Sequence, residues 1–294
     1  MYFIKVKFEQ IFNPADNPVE RMSLEQKIIY DIKSFYDEND LFILKYPKHL
    51  QFDTINKCNM SCSFCPASKK NDIRKIEIMD EKLFVKIIDE FIDTDEERGI
   101  DFSSNNEPLL DDRIIDFIEY TRKQLGKRTN IFLHMFTNGT LLTEEKFLRL
   151  ANLLDGLQID NYNDKLKLIK PVKNILDKYK LFPFHAEIII AVRKVNEVLL
   201  NRAGISPNYK DINYTLIDSP CKLPFGQMVV RPDGKVSLCC ADVYGAYTMG
   251  DLNKDNIETI WNNLNYNNLR NLMKKGRNNI ELLCRKCNAI YSEF

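Results

Sequence analysis

The chain has 294 residues, and its 42 Lys and Arg balance 42 Asp and Glu. That length suits one large domain, or a medium domain with a small one, and zero net charge excludes an overall field drawing the chain to nucleic acid or an anionic membrane. No stretch approaches the roughly 20 apolar residues of a membrane span, and the charges inside Met1–Glu9 exclude a signal peptide, so the reading is a cytoplasmic protein without nucleic-acid or membrane partners.

Residues 1–48 read as an accessory segment. A helix is expected over 23–37, with Leu24, Ile28, Ile29, Ile32 and Phe35 at helical spacing, and a short strand over 41–44. From 50 to about 200, strands and helices alternate. Strands are expected at 50–56, 100–104, 131–136, 156–160 and 185–192, with a sixth at 212–217. Helices are expected from Asp80, over 112–124, over 143–154 with Thr143 as cap, and over 164–179. Repeated βα units imply a parallel sheet, open or curled into a partial barrel, with the chemistry at the strand C-terminal ends. In the fifth strand, Ala186, Ile188, Ile190 and Val192 form one apolar face. His185, Glu187 and Arg193 share the other with Ile189 and Ala191, which suits either a wall lining a site or a solvated edge.

The first strand ends in Asn56-Lys57-Cys58-Asn59-Met60-Ser61-Cys62-Ser63-Phe64-Cys65-Pro66, a C-x3-C-x2-C loop. Three thiolates fill three corners of a cubane cluster and leave the fourth iron open for a small chelating ligand. Thiolate ligation favours iron–sulfur or zinc over hard metals, and a reducing compartment disfavours the alternative of disulfides.

After about 205 the pattern changes. Residues 226–231, Pro232-Asp233-Gly234 and 235–240 read as a β-hairpin with an Asp-Gly turn. A helical stretch follows from Ile257, with Ile260, Trp261, Leu264, Leu269, Leu272 and Met273. This small α+β part carries the other five cysteines, Cys221, Cys239, Cys240, Cys284 and Cys287. Neighbouring strand residues point to opposite faces, so Cys239 and Cys240 do not act together, and a buried free thiol is the reading for Cys240. The C-x2-C pair at Cys284 and Cys287 would also suit a structural zinc ion.

The Cys58–Cys65 loop, with the aromatic Phe64 before its third cysteine, resembles the signature of the radical S-adenosylmethionine (SAM) superfamily. The resemblance implies a partial (β/α)6 barrel over 49–204 and a [4Fe–4S] cluster held by Cys58, Cys62 and Cys65. The open iron would chelate SAM, whose reductive cleavage yields a 5′-deoxyadenosyl radical that abstracts a substrate hydrogen. Ser104-Asn105-Asn106-Glu107-Pro108 resembles the family's Gly-Gly-Glu-Pro motif for the methionine amino group, with Asn105 and Asn106 in place of both glycines. Thr137-Asn138-Gly139 and Leu157-Gln158-Ile159-Asp160 resemble the segments near the ribose, naming Asn138 and Gln158, and Arg193 is the candidate for the SAM carboxylate.

The C-terminal part, 205–294, resembles the SPASM/twitch extension, whose opening signature is C-x(9–15)-G-x4-C. Cys221, Gly234 and Cys239 match it. With Cys284 and Cys287 they imply four ligands of one auxiliary [4Fe–4S] cluster, as in the short twitch version. The spacing resembles that of the twitch-type aminocyclitol dehydrogenases. This implies an oxidoreductase acting on a secondary alcohol of a sugar or cyclitol, with the auxiliary cluster taking an electron and flavodoxin or ferredoxin as donor. Arg202 resembles the family's arginine near the substrate hydroxyl, and Glu187 and Asp242 are further catalytic candidates. Guanidinium is a poor base in water, so orienting the hydroxyl is the role expected of Arg202. A peptide-modifying maturase and a non-catalytic metal scaffold are the alternatives.

Overall fold

The computed structural model describes residues 44–209, 218–281 and 283–288. The helix expected over 23–37 and the strand expected over 212–217 lie outside them, as does the 41–44 strand apart from Leu44.

Among the described residues eight strands form one sheet in the order β5-β4-β3-β2-β1-β6-β7-β8. The first five are β1 (His49–Phe52), β2 (Arg98–Asp101), β3 (Ile131–Thr137), β4 (Gly156–Tyr162) and β5 (Glu187–Arg193). They run parallel, each joined to the next by a connection that contains a helix: α1 (Glu81–Ile92), α2 (Ile114–Leu125), α3 (Glu144–Leu153) and α4 (Lys170–Tyr179). The α/β barrel architecture expected from the alternating pattern is therefore present, and the apolar faces explain it. Leu50 and Phe52 of β1 and Ile100 of β2 are fully buried with Phe84, Ile87, Ile88 and Phe91 of α1. Phe52 meets Phe84 edge-on at 5.4 Å, and Phe84 stacks on Phe117 of α2 at 4.1 Å. Each such side chain contributes about 1.5–3 kcal/mol by burial.

Caps set the helix starts. Asp80 accepts hydrogen bonds from the backbone of Lys82 and Leu83, and Thr143 accepts one from Lys146. The fourth helix begins at Lys170, six residues later than the pattern predicts. Asp164 does not cap it, because its carboxylate accepts the backbone N–H of Val195 at 2.9 Å instead.

The opposite face of the sheet is polar. Gln51, Asp101, His134 and Gly156 stand side by side across β1 to β4. Gln51 Nε2 and His134 Nδ1 bond the two oxygens of Asp101. Burial alone would raise the Asp101 pKa, but His134 and His49 outweigh it and hold the carboxyl well below its usual range.

The predicted hairpin is β6 (Gln227–Val230) and β7 (Lys235–Ser237), antiparallel, with Gly234 at φ +81° in its turn. Sequence patterning did not show where it attaches. β6 follows the short helix α5 (Leu223–Gly226) and pairs in parallel with β1, so the C-terminal part continues the barrel sheet. β8 (Thr248–Asp251) closes that edge. The helix expected from Ile257 is two, α6 (Ile257–Trp261) and α7 (Leu264–Met273), because Asn263 starts a new helix by accepting from Tyr266 N–H. The buried Arg270 guanidinium lies 4.1 Å from the Trp261 ring and donates to its carbonyl at 2.7 Å.

Candidate active site

The cysteine loop leaves the C-terminal end of β1 and is pinned from several sides. Ser63 N–H donates to Val195 O at 3.0 Å, Ser206 Oγ to Phe64 O at 2.9 Å, and Asn71 Nδ2 to Cys65 O at 3.0 Å. Phe64 is buried against Tyr162, with ring centroids 5.8 Å apart. Burial, with neighbouring thiols adding to it, pushes the Cys58 and Cys62 thiols up to about 12. Cys58 and Cys62, thiols that resist ionisation with Cys65 beside them, suit a cationic metal group, which replaces thiol protons on binding.

The ends of β2 to β5 converge beside this loop. Asp53 accepts the backbone N–H groups of Ser104 and Asn105, each at 2.9 Å on Oδ1, and so shapes the Ser104–Pro108 turn. Ser103 Oγ accepts Phe136 N–H at 2.9 Å, a side-chain bond in place of a strand-to-strand one, and with Asp53 holding the next two N–H groups β2 does not reach 104. Glu107, fully buried, accepts from Thr137 Oγ1 and Asn138 N–H, both at 2.7 Å, joining the β2 and β3 ends. Burial raises its pKa against those bonds. Asn138 Nδ2 donates to Asn59 Oδ1 at 2.8 Å and lies 3.9 Å from Cys58 Sγ. Gln158 Nε2 donates to Asp160 Oδ1 at 2.7 Å, and Arg193 Nε lies 3.7 Å from the same oxygen. The buried Asn106 Nδ2 and Gln158 Oε1 have no hydrogen-bond partner among the described residues. One orphan donor and one orphan acceptor fit a ligand that, like SAM, carries both a carboxylate and hydroxyl or ammonium donors.

Arg202 lies in a left-handed bend, with φ +46° followed by Ala203 at +56°. Such residues cost about 1–3 kcal/mol and persist only where the surroundings impose them. Here Asn201 does so: it exchanges hydrogen bonds with Asn288 and donates to Lys286 O at 2.6 Å. The bend delivers Arg202 Nη1 to Asn105 Oδ1 at 2.9 Å. The same Asn105 side chain donates Nδ2 to the carbonyl of Cys240 at 3.0 Å. Arg74 Nη2 bonds Asn105 O at 2.9 Å and Asn56 O at 3.2 Å, while its Nη1 reaches Val243 O at 3.5 Å.

Two expected catalytic residues are not brought here. Glu187 is exposed at the start of β5, six residues or about 20 Å along the strand from Arg193. Asp242 is buried, and its carboxylate accepts Ala246 N–H at 2.7 Å and Tyr247 N–H at 3.0 Å, which makes it a loop-holding residue. Asp53, Arg74 and Asp160 belong to the site and were missed. Asp160 shares the period-2 face of Gln158, a signal that could have found it. Burial pushes its carboxyl up to about 6, against the Gln158 amide.

The later cysteines form a second group. Burial raises Cys239, and pushes Cys221 and Cys284 up to about 12, with repulsion among the five thiols, that of Cys240 on Cys239 foremost, adding to it. Cys240 is only half-buried and lies past the end of β7 at Ser237, so the expectation of a buried thiol on the strand face opposite Cys239 does not hold. The buried Arg277 cation opposes the rise at Cys221 and Cys284. Among the described residues no three His, Cys, Asp or Glu side chains converge as ligands of one metal ion would. A cluster takes its thiolates at separate irons.

Two families match the chain: the radical SAM superfamily over residues 53–197, and SPASM, an iron–sulfur cluster-binding domain, over 221–288. The protein is a radical SAM enzyme with a C-terminal SPASM domain. It is 25% identical over 243 residues to the S-adenosyl-L-methionine-dependent 2-deoxy-scyllo-inosamine dehydrogenase of Niallia circulans, covering 82% of this chain and 92% of that protein. Over 106 residues it is 32% identical to the tungsten-containing aldehyde ferredoxin oxidoreductase cofactor-modifying protein of Pyrococcus furiosus, spanning 36% of this chain and 28% of that one. The crystal structure of BtrN in complex with AdoMet and 2-DOIA shares the fold, with a TM-score of 0.68 at 23% identity over 83% of this chain and 93% of that one. So does native anSMEcpe with bound AdoMet, at 0.55 and 14% identity over 77% and 84%.

Proposed function

We propose that this enzyme oxidises a secondary alcohol of a cyclitol or sugar to the ketone. The observation that carries the reading is Arg202, held at the junction where the SAM-binding turn meets the auxiliary cysteine loop. The similarity to a 2-deoxy-scyllo-inosamine dehydrogenase supports it, because it spans both parts of the chain.

In this reading residues 49–204 are the barrel and 205–294 a one-cluster twitch domain. Cys58, Cys62 and Cys65 hold the [4Fe–4S] cluster that binds SAM. Cys221, Cys239, Cys284 and Cys287 hold one auxiliary [4Fe–4S] cluster. When bound, cluster and SAM supply a 5′-deoxyadenosyl radical that takes the carbinol hydrogen. Asn106 and Gln158 offer SAM their unsatisfied donor and acceptor, while Glu107 and Asn138 keep the β2 and β3 ends in place and Arg193 offers a cation. Arg202 orients the alcohol by donation, since its guanidinium stays protonated. Removing the substrate's hydroxyl proton and one electron completes the ketone, and the closed auxiliary site suits electron acceptance. The sum balances as alcohol plus SAM giving ketone, methionine, 5′-deoxyadenosine and one proton.

Anaerobic reconstitution tests this. We expect about eight irons per chain for two cubanes, and conversion of 2-deoxy-scyllo-inosamine to its ketone with equimolar 5′-deoxyadenosine. Cleavage of SAM without ketone from any cyclitol or sugar offered, but with oxidation of a peptide, would replace the proposal with a maturase.

A further inference from the structure

Just beyond Cys65 the chain forms an arm, residues 69–78, that is rigidly held and yet apolar on its outside. Its start is tied to the cysteine loop: Lys69 N–H donates to Met60 O at 2.7 Å, and Asn71 Nδ2 bonds Cys65 O at 3.0 Å. Its end is tied to β1's extension, with Asn56 Nδ2 donating to Lys75 O at 2.7 Å and Glu77 N–H to Asn56 Oδ1 at 2.8 Å. Arg74 and Asp72 pair with each other at 2.7 Å. On this pinned backbone Ile73 is 81% exposed, and Ile76 and Ile78 are each 60% exposed. Within the arm Lys69, Lys70 and Lys75 are exposed against one exposed acid, Glu77; beside it Lys57 and Lys82 add exposed positive charge, and Asp80 and Glu81, just past Ile78, exposed negative charge.

An exposed apolar group beside a lysine cluster such as Lys69, Lys70 and Lys75 suits a protein partner of opposite charge. The radical SAM site beside it requires one electron from outside, and a hydride donor delivers two. Plant-type ferredoxins supply single electrons from a thiolate-held cluster at a potential toward the low end of the range such clusters span.

We propose that the arm Lys69–Ile78 is the docking surface for an acidic ferredoxin that reduces the cluster held by Cys58, Cys62 and Cys65. The isoleucines form the contact and the lysines steer the encounter. The carrier loses one electron and the cluster gains one; no bond forms or breaks and no proton moves. The inference rests on the cluster assignment above, and not on the identity of the alcohol.

The test is stopped-flow reduction of the reconstituted full chain, without substrate. The reduced cluster is identified by the change of its paramagnetic resonance signal on adding SAM. Reduction by dithionite examines the cluster assignment itself, so its failure is told apart from a docking failure. With an acidic ferredoxin, the triple variant Lys69→Glu, Lys70→Glu, Lys75→Glu should be reduced at least tenfold more slowly at low salt, and the parent's rate should fall as salt rises. Ile73→Ser with Ile76→Ser should also slow ferredoxin, while dithionite rates stay at the parent value. Equal ferredoxin rates in parent and variants would overturn the proposal. So would reduction by flavodoxin but not by ferredoxin. A fall in melting temperature of more than a few degrees in the serine variant would likewise overturn it, since the chain itself would then cover the patch.

Discussion

Asn105 donates its side-chain amide to the carbonyl of Cys240 and accepts Arg202 on the other end of the same amide. One short side chain thus joins the turn at the end of β2, the arginine bend and the auxiliary cysteine loop. A glycine, the residue at the corresponding place in the family motif, could do none of this. Asn105→Gly should raise hydrogen–deuterium exchange across 238–247, as a lost buried hydrogen bond lowers local stability by about 1–3 kcal/mol. Asn105→Asp keeps the acceptor for Arg202 but loses the donor to Cys240, so it should show the same exchange increase. Unchanged exchange in both variants would mean the contact holds nothing.

Arg202 is expected to act on the alcohol and not on SAM. Arg202→Lys keeps the charge but loses the planar fork. Ketone formation should fall by about 10²-fold, the scale of a lost charge-assisted donor, with a smaller effect on 5′-deoxyadenosine formed without alcohol. Equal losses in the two assays would assign Arg202 to the SAM site instead.

The two cysteine groups should load independently. Replacing Cys58, Cys62 and Cys65 together by Ala should leave about half the parent's iron and remove all SAM cleavage. Replacing Cys221 and Cys239 by Ala should also halve the iron but spare some cleavage. If the second set instead bound zinc, metal analysis of the first variant would find one zinc and no iron.

Asp53 supplies a pH prediction. Burial pushes its carboxyl up to about 6, above the unfolded value of 3.8. The folded state therefore binds the extra proton between these values, and stability falls as pH rises from about 4 to about 6, at a slope of at most about 1.4 kcal/mol for each pH unit. Both of its backbone bonds fall on Oδ1, which an amide retains. Asp53→Asn should keep the Ser104 turn, lose this decline and melt higher than the parent at pH 8. A steeper decline in the variant would contradict this.

Much of the barrel was legible because its evidence is local. Period-2 and period-3.6 apolar patterns, Asp80 and Thr143 as caps, and three cysteines within one loop each require only neighbouring residues. The hairpin at Asp233-Gly234 was readable for the same reason. The break at Asn263 was not seen, because a cap inside an apolar-periodic stretch looks like a tolerated polar residue.

What the amino-acid order determined by itself was the chemistry: eight thiols in two spaced groups, strand ends bearing polar residues, and alternation that builds a parallel sheet. What only the tertiary structure decided was which side chains meet. Sheet register put Glu187 at the wrong end of β5, and the fold spent Asp242 on its own loop. Parallel pairing of β6 with β1 brought Cys240 to Asn105, from 135 residues away in sequence. Contacts of that range depend on how the chain closes on itself, and local patterns carry no record of it.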